Sequence, residues 1–249
     1  MIPKIIHYCW FGRSEKPQKL LDCMASWEKH LEDYEIREWN EDNFDISLNT
    51  YAKEAYKAGK YAFVTDYVRL YALYHYGGIY MDTDVEVLRP LDKFLNYRAF
   101  TGCESEDLCV TGIMAAEKGH EWIKILLDDY KNKKFILENG SFNLKPNTYT
   151  ITQLTADHFG WQKKDEHQEL RAGLNIYPFI TFCAKNLETG KVVATDETYT
   201  IHHFAGSWLS PYLRMRSKVK HLIGPGPTRR LKKIKKKLDA LRGKETGYP

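Results

Sequence analysis

Between Tyr61 and Leu88 the chain reads YAFVTDYVRLYALYHYGGIYMDTDVEVL, and no other stretch limits the possible folds so closely. The first part predicts a helix of about four turns, with Asp66, Arg69 and Leu73 along one face at three- and four-residue spacings. Gly77-Gly78 stops it, because glycine accepts the positive φ that closes a helix C-terminus. Ile79-Tyr80-Met81 then predicts a short buried strand, and Val85 to Leu88 resumes an extended pattern. Between them lies Asp82-Thr83-Asp84. In an extended chain residues i and i+2 face the same way, so the two carboxylates are expected side by side at a strand end. Such a pair suits a hard divalent cation that keeps water and phosphate oxygens in its other positions. An isolated Asp-x-Asp also arises as a plain acidic turn. Here it follows an apolar strand directly, with Asp66 and Arg69 one turn apart upstream, and clustered like charges repel unless a cation or polar ligand joins them.

The series Thr65-Asp66-Tyr-Val-Arg69 … Gly77-Gly78-Ile-Tyr80-Met-Asp82-Thr-Asp84 resembles the signature of the family 32 DXD glycosyltransferases. That family includes bacterial capsule and lipopolysaccharide sugar transferases and fungal initiating mannosyltransferases, and it is similar to the glucosylating domains of clostridial toxins. The resemblance implies a nucleotide-sugar-dependent enzyme with a GT-A type domain: α/β, with a mixed, mostly parallel sheet flanked by helices. It further implies Mn2+ or Mg2+ as cofactor, a UDP-sugar as donor, and retention of anomeric configuration. The alternatives are a GDP-mannose-dependent transferase, which would share every motif, and a non-catalytic nucleotide-sugar-binding module.

Length agrees with one α/β domain, since 249 residues bury a sizeable core. Seventeen Tyr, eleven Phe and six Trp fit a cleft that stacks rings. Five cysteines without Cys-x-x-Cys spacing read as reduced thiols of a cytosolic protein. The N-terminal MIPKIIHYCWFG is too short in its apolar run for a signal peptide. No apolar run approaches the roughly twenty residues that a membrane span needs.

Charge divides the chain. Residues 214–249 hold 13 Lys and Arg against 2 acids, whereas residues 1–213 hold 24 against 31, a net −7. The expected boundary follows: a catalytic domain over 1–213, then a hinge and basic tail over 214–249. Within the tail, Leu231, Ile234, Leu238 and Leu241 recur at three- and four-residue spacings among lysines and arginines. This predicts a basic amphipathic helix suited to an anionic membrane face. A solvated tail and an RNA-binding arm are the alternatives, and the tail lacks the stacking groups that nucleic acid would require. The enzyme is accordingly expected in the cytoplasm, peripheral on the inner face of the plasma membrane. Its acceptor there would be a growing cell-surface glycan or lipid-linked oligosaccharide of capsule, lipopolysaccharide or exopolysaccharide type.

The remaining elements are expected in chain order as a strand over 2–10, helix 20–31, strand 34–39, turn 40–45 and helix 51–60. After the central stretch come a helical turn at 91–95, strands 99–102 and 110–115, and helices 120–130 and 151–159. Strand-like runs at 175–182 and 191–195 follow. His7 reads as a buried structural histidine, and His120 as lying near an exposed helix N-terminus. Glu104-Ser-Glu-Asp107 is either an acceptor-facing loop or a surface hairpin. Lys131 to Thr148 is polar and turn-rich; a flap that orders over a bound donor is one reading of it, and no residue in it identifies it as one.

The resemblance also implies roles. Trp10, in an aromatic-Trp-x-Gly turn, would stack the nucleotide base; Asn43 and Tyr80 would lie at the donor. Asp66 and Arg69 would hold donor hydroxyls and the departing phosphate, with a structural i,i+3 ion pair as the plainer reading. Adjacent His202 and His203 point to opposite faces of an extended chain, so at most one joins Asp82 and Asp84 at the metal. His203-Phe-Ala-Gly206 fits the family's His-x-x-Gly spacing. Ser207 and Trp208 would contact the diphosphate.

Overall fold

The computed structural model describes residues 1–105, 107–186 and 189–206. The boundary expected at residue 213, the basic helix beyond it, Ser207 and Trp208 lie outside the described residues. A mixed seven-stranded sheet forms the centre, in the order β2-β1-β3-β6-β5-β8-β7. Its strands are β1 (Ile5–Cys9), β2 (Glu35–Trp39), β3 (Gly78–Met81), β5 (Ala99–Ser105), β6 (Leu108–Ala116), β7 (Gln168–Glu169) and β8 (Leu174–Tyr177). β1 pairs in parallel with β2 and β3, and β5 with β8, while β6 runs antiparallel to both β3 and β5. Five of the seven strands therefore share one direction, with β6 and β7 opposed. Their carboxyl ends gather at one edge of the sheet, where open α/β sheets bind ligands.

The helices are α1 (Gln18–His30), α2 (Thr50–Lys57), α3 (Tyr61–Tyr76), α4 (Glu121–Asp128), α5 (Asn147–Phe159) and the single turn α6 (Phe179–Phe182). Strand alternation sorts the core into two faces. Ile79 and Met81 of β3 pack with Ile6, Trp27, Phe94 and Phe100 on one side, while Tyr80 turns to the α3 side with Val68, Leu73 and Met114. α3 is buried on most of its circumference, which explains its apolar composition. At its end Gly77 and Gly78 take φ of +69° and +107°. A Cβ on Gly78 would lie 2.6 Å from the Ile5 carbonyl, so these glycines allow β3 to lie directly against β1.

A second, two-stranded sheet pairs β4 (Val85–Val87) antiparallel with β9 (Thr200–His202). α1 holds β4 in place through Trp27, whose Nε1 donates to the Val85 carbonyl at 2.7 Å.

Several expectations need revision. Residues 175–182 are not one strand, because Pro178 ends β8 and starts α6. The run 191–195 forms only a bridge, Lys185 to Val192. β7, two residues long, had no readable pattern. His120 is fully buried and caps α4, its ring accepting from the Trp122 amide. The Glu104 region is a long bulged hairpin, with Glu104 inside β5. His7 is the buried structural histidine expected, its Nε2 2.7 Å from the Gly77 carbonyl and its Nδ1 accepting from Trp39 Nε1. The five cysteines are all buried free thiols, and no described helix is long and apolar enough to cross a membrane.

Candidate active site

β3 ends at Met81, and the chain then folds back in a tight turn, the Val85 amide donating to the Asp82 carbonyl at 3.0 Å. Asp82 and Asp84 are thus brought together by a β-turn, and not by the continuous extended strand that their spacing suggested. The turn feeds β4, and β4 pairs with β9, so His202 arrives from 118 positions away opposite Val85. One ligand atom each from Asp82, Asp84 and His202 lie within 4.8 Å of one another. His202 Nε2 is 3.3 Å from Asp84 Oδ1 and 3.8 Å from Asp82 Oδ2.

The histidine expected at the metal was His203. The structure places His202 there instead, and the alternation of side chains along β9 is the reason. His203 turns the other way and bonds Glu86 Oε2 at 2.7 Å, while its amide donates to the Asp84 carbonyl at 2.9 Å. Phe204, at a φ of +50°, reverses the chain so that the Ala205 amide donates to Asp84 Oδ2 at 2.6 Å. A positive φ at a phenylalanine is a strained backbone held by its surroundings.

α3 supplies the wall behind the turn. Arg69, buried, donates Nη1 to the Thr111 carbonyl at 2.6 Å and approaches Asp66 Oδ1 at 3.2 Å and Asp82 Oδ1 at 3.5 Å. Its guanidinium lies 4.6 Å from the centroid of the Tyr80 ring, and Tyr80 donates its hydroxyl to Asp82 Oδ1 at 2.7 Å. Tyr80 is buried, and its hydroxyl hydrogen is spent on Asp82, which it positions. The plain ion pair between Asp66 and Arg69 exists, but it is joined to the site through Asp82.

Electrostatics follow from this crowding. Burial raises the Asp66 carboxyl to about 6, against the pull of Arg69. Burial would raise Asp84 too, yet the neighbouring His202 charge and the Ala205 amide hold it well below the ordinary carboxylate range. His202 is driven up in turn, Asp84 outweighing the burial of its ring.

Lys185 escaped the sequence reading, and Glu104 entered it only as part of an acidic loop. Glu104 is half-buried, and desolvation raises its carboxyl, with His202 and Asp82 as its charged neighbours. Lys185, half-buried, donates Nζ to the His203 carbonyl at 2.7 Å; burial and then Lys19 lower the pKa of its ammonium, against the pull of Asp84. Neither carries a motif, although the acidic run around Glu104 was a signal.

Trp10 leaves β1 at the carboxyl edge, partly exposed, with Nε1 donating to the Ser14 carbonyl at 2.6 Å and Lys16 Nζ 5.7 Å from its ring. The ring packs in part against the core on the β1 side. Asn43 is spent on the turn after β2: its amide donates to the Glu38 carbonyl at 2.7 Å and its oxygen accepts from the Asn40 amide at 3.0 Å. It is an exposed turn brace, and none of its bonds reaches the carboxylates.

The donor set fits a divalent cation. Two carboxylates and an imidazole face one another, with Asp66 and Glu104 close behind. Among the described residues, Arg69 and His202 face this acid cluster most closely, with Lys185 and Lys133 acting on Asp84 and Asp66 from its margins.

Comparison with known proteins agrees with this geometry. Residues 17–101, which span α1 to β5 and include the Asp82–Asp84 turn, match the family model of the glycosyltransferase sugar-binding region containing the DXD motif. Inositol phosphoceramide mannosyltransferase 3 of Schizosaccharomyces pombe is 32% identical over 130 residues, covering 49% of this chain and 35% of the relative. Inositol phosphoceramide mannosyltransferase 1 of the same yeast is 27% identical over 110 residues, covering 40% of this chain and 33% of the relative. The matched stretch thus spans about a third of the length of these curated relatives. Among solved structures, the PaToxG glycosyltransferase aligns at a TM-score of 0.46 and 15% identity, over 63% of this chain and 68% of that one, a likeness too loose to add to the argument. Residues 17–101, with the Asp82–Asp84 turn among them, are therefore similar to the DXD-containing sugar-binding region of glycosyltransferases.

Proposed function

We propose that this chain transfers a hexose from a nucleoside-diphosphate sugar to a glycan or glycolipid acceptor in a reaction dependent on a divalent cation. The convergence of Asp82, Asp84 and His202 within 4.8 Å carries this reading. Mn2+ or Mg2+ bound by these three residues would neutralise the diphosphate leaving group as the anomeric bond breaks.

The chain's own residues supply the rest. Tyr80 and Arg69 fix the orientation of Asp82, and the Ala205 amide fixes that of Asp84. Arg69 holds the buried Asp66 carboxylate, which is placed to accept hydrogen bonds from donor hydroxyls. Lys185 lies beside Asp84 as a cation for a departing phosphate, and Trp10 offers a ring for the base. Retention of configuration accords with a site in which the acceptor hydroxyl attacks from the front face.

A UDP-sugar donor and a capsule- or lipopolysaccharide-type acceptor are the reading drawn from the bacterial resemblance. The names of the two yeast relatives favour a second reading, in which the sugar is mannose and the acceptor a phosphosphingolipid. Release of free nucleotide from UDP- and GDP-sugars with and without Mn2+, with Asp84→Asn as the blank, decides between them. Cation-dependent release from one donor identifies the nucleotide and the sugar together. Release that Asp84→Asn leaves intact would overturn the reading.

A further inference from the structure

The chain between α4 and α5, together with the first turn of α5, carries an unusual concentration of exposed apolar side chains. Ile136, Leu137, Phe142, Leu144 and Tyr149 are all between 38 and 55% exposed. The segment has a defined shape. Ile136 and Phe142 pair in an antiparallel bridge, the Leu137 amide donates to the Ser141 carbonyl at 2.8 Å, and Gly140 turns the tip at a φ of +77°. Its root is built into the core. Phe135 is buried against Tyr51 and Phe63, at centroid distances of 5.5 and 5.1 Å, and Glu54 of α2 accepts from the Phe135 and Ile136 amides at 2.8 and 2.9 Å. A firmly rooted hairpin thus presents an apolar tip to the outside.

Its charge is the reverse of the body's. Residues 131–149 hold four lysines and one acid, inside a 1–213 segment whose net charge is −7. Lys134 and Lys145 are exposed around the apolar tip, whereas Lys131 is paired with Asp128 at 2.9 Å and Lys133 with Asp129 at 2.8 Å. An acidic body is repelled by an anionic surface, so lysines collected at its most apolar projection mark the face that can approach one. Apolar side chains enter the headgroup and acyl boundary while lysine stems carry their ammonium groups to the phosphates.

We propose that the hairpin over residues 131–145 is a membrane-docking element that seats Leu137, Phe142 and Leu144 in the interface of an anionic bilayer. Lys133 and Tyr130, at its root, lie within electrostatic reach of Asp66, so docking holds the carboxylate site next to the surface from which a lipid-borne acceptor would be taken. The docking element stands whether or not the donor assignment above holds.

The test labels Leu144→Cys in the full chain with an environment-sensitive fluorophore, the five native cysteines being buried. Vesicles of phosphatidylcholine with phosphatidylglycerol should shift its emission to the blue. Pure phosphatidylcholine vesicles should not, and a label at Asp157→Cys, exposed on α5, should stay unchanged with either. Because residues 214–249 attract anionic vesicles on their own account, this local signal decides, not total binding. Leu137→Ser should reduce the blue-shifted fraction about tenfold at an unchanged melting temperature. No blue shift on the anionic vesicles overturns the proposal. So does a shift evoked by nucleotide sugar and Mn2+ in vesicle-free solution, which would make the hairpin a flap over the donor.

Discussion

His202 and His203 are neighbours in sequence and face different chemistry, the first two carboxylates, the second Glu86. A ligand that binds only the folded state, present at about 100 times its dissociation constant, stabilises by about 2.7 kcal/mol. For a domain of this size that raises the melting temperature by roughly 5–10 °C. Saturating Mn2+ should produce such a shift in the wild type and in His203→Ala, and none in Asp84→Asn or His202→Ala. A lost shift in His203→Ala with a retained one in His202→Ala would reverse the assignment. Gly112 makes a related point. A Cβ there would lie 2.7 Å from His202 Nδ1, so Gly112→Ala should displace the ring and weaken Mn2+ binding at least about tenfold, as titration calorimetry would read. Asp66 brings a pH dependence. Its folded-state carboxyl is raised from 3.8 to about 6, so its contribution to stability is fully present below about 4 and is lost as pH rises through 6. Asp66→Asn lacks that loss. Its melting temperature relative to wild type, measured without metal, should therefore climb between pH 4 and pH 7 even as turnover is abolished.

At the scale of elements, the site depends on a minor sheet that packs against the major one. β4 carries Asp84 into position, β9 carries His202, and α1 anchors β4 through the Trp27 indole bond to the Val85 carbonyl and through Ser26 Oγ, which accepts from the Val87 amide at 2.8 Å. Trp27→Phe leaves that buried carbonyl without its partner, a change that costs about 1–3 kcal/mol. Chemical denaturation should show that loss together with weaker Mn2+ binding, although Trp27 touches none of the ligands. α3 acts as a rigid rear wall: one helix face delivers Asp66 and Arg69, and the paired glycines after it lay β3 against β1 so that Asp82 emerges beside them.

At the scale of the whole molecule, five strands point their carboxyl ends at one edge, and the acids of that edge belong to a body of net charge −7. An anionic nucleotide diphosphate approaches such a face against repulsion unless a cation intervenes. Chelation with EDTA should accordingly lower nucleotide affinity by at least about a hundredfold, and fluorescence titration with UDP and GDP would measure it.

Local pattern was sufficient for much of this. The helix–Gly-Gly–strand–Asp-x-Asp run fixed α3, β3 and the carboxylate pair, because helical and extended periodicities differ and glycine alone permits the sharp junction. The flanking helices and most strands were legible for the same reason. Other features depend on contacts between distant segments. Which histidine joins the carboxylates was settled by the register of β9 on β4, and a slip of one residue would have exchanged them. That Asp82 and Asp84 meet through a turn, that Tyr80 and Asn43 are already engaged, and that Glu104 and Lys185 lie beside the site were likewise decided by packing. Sequence by itself determined the local elements and the chemical type of the site, since both follow from neighbours in the chain. Only the tertiary structure decided the ligand set, because a metal site is closed by residues that the fold, and not the chain, makes adjacent.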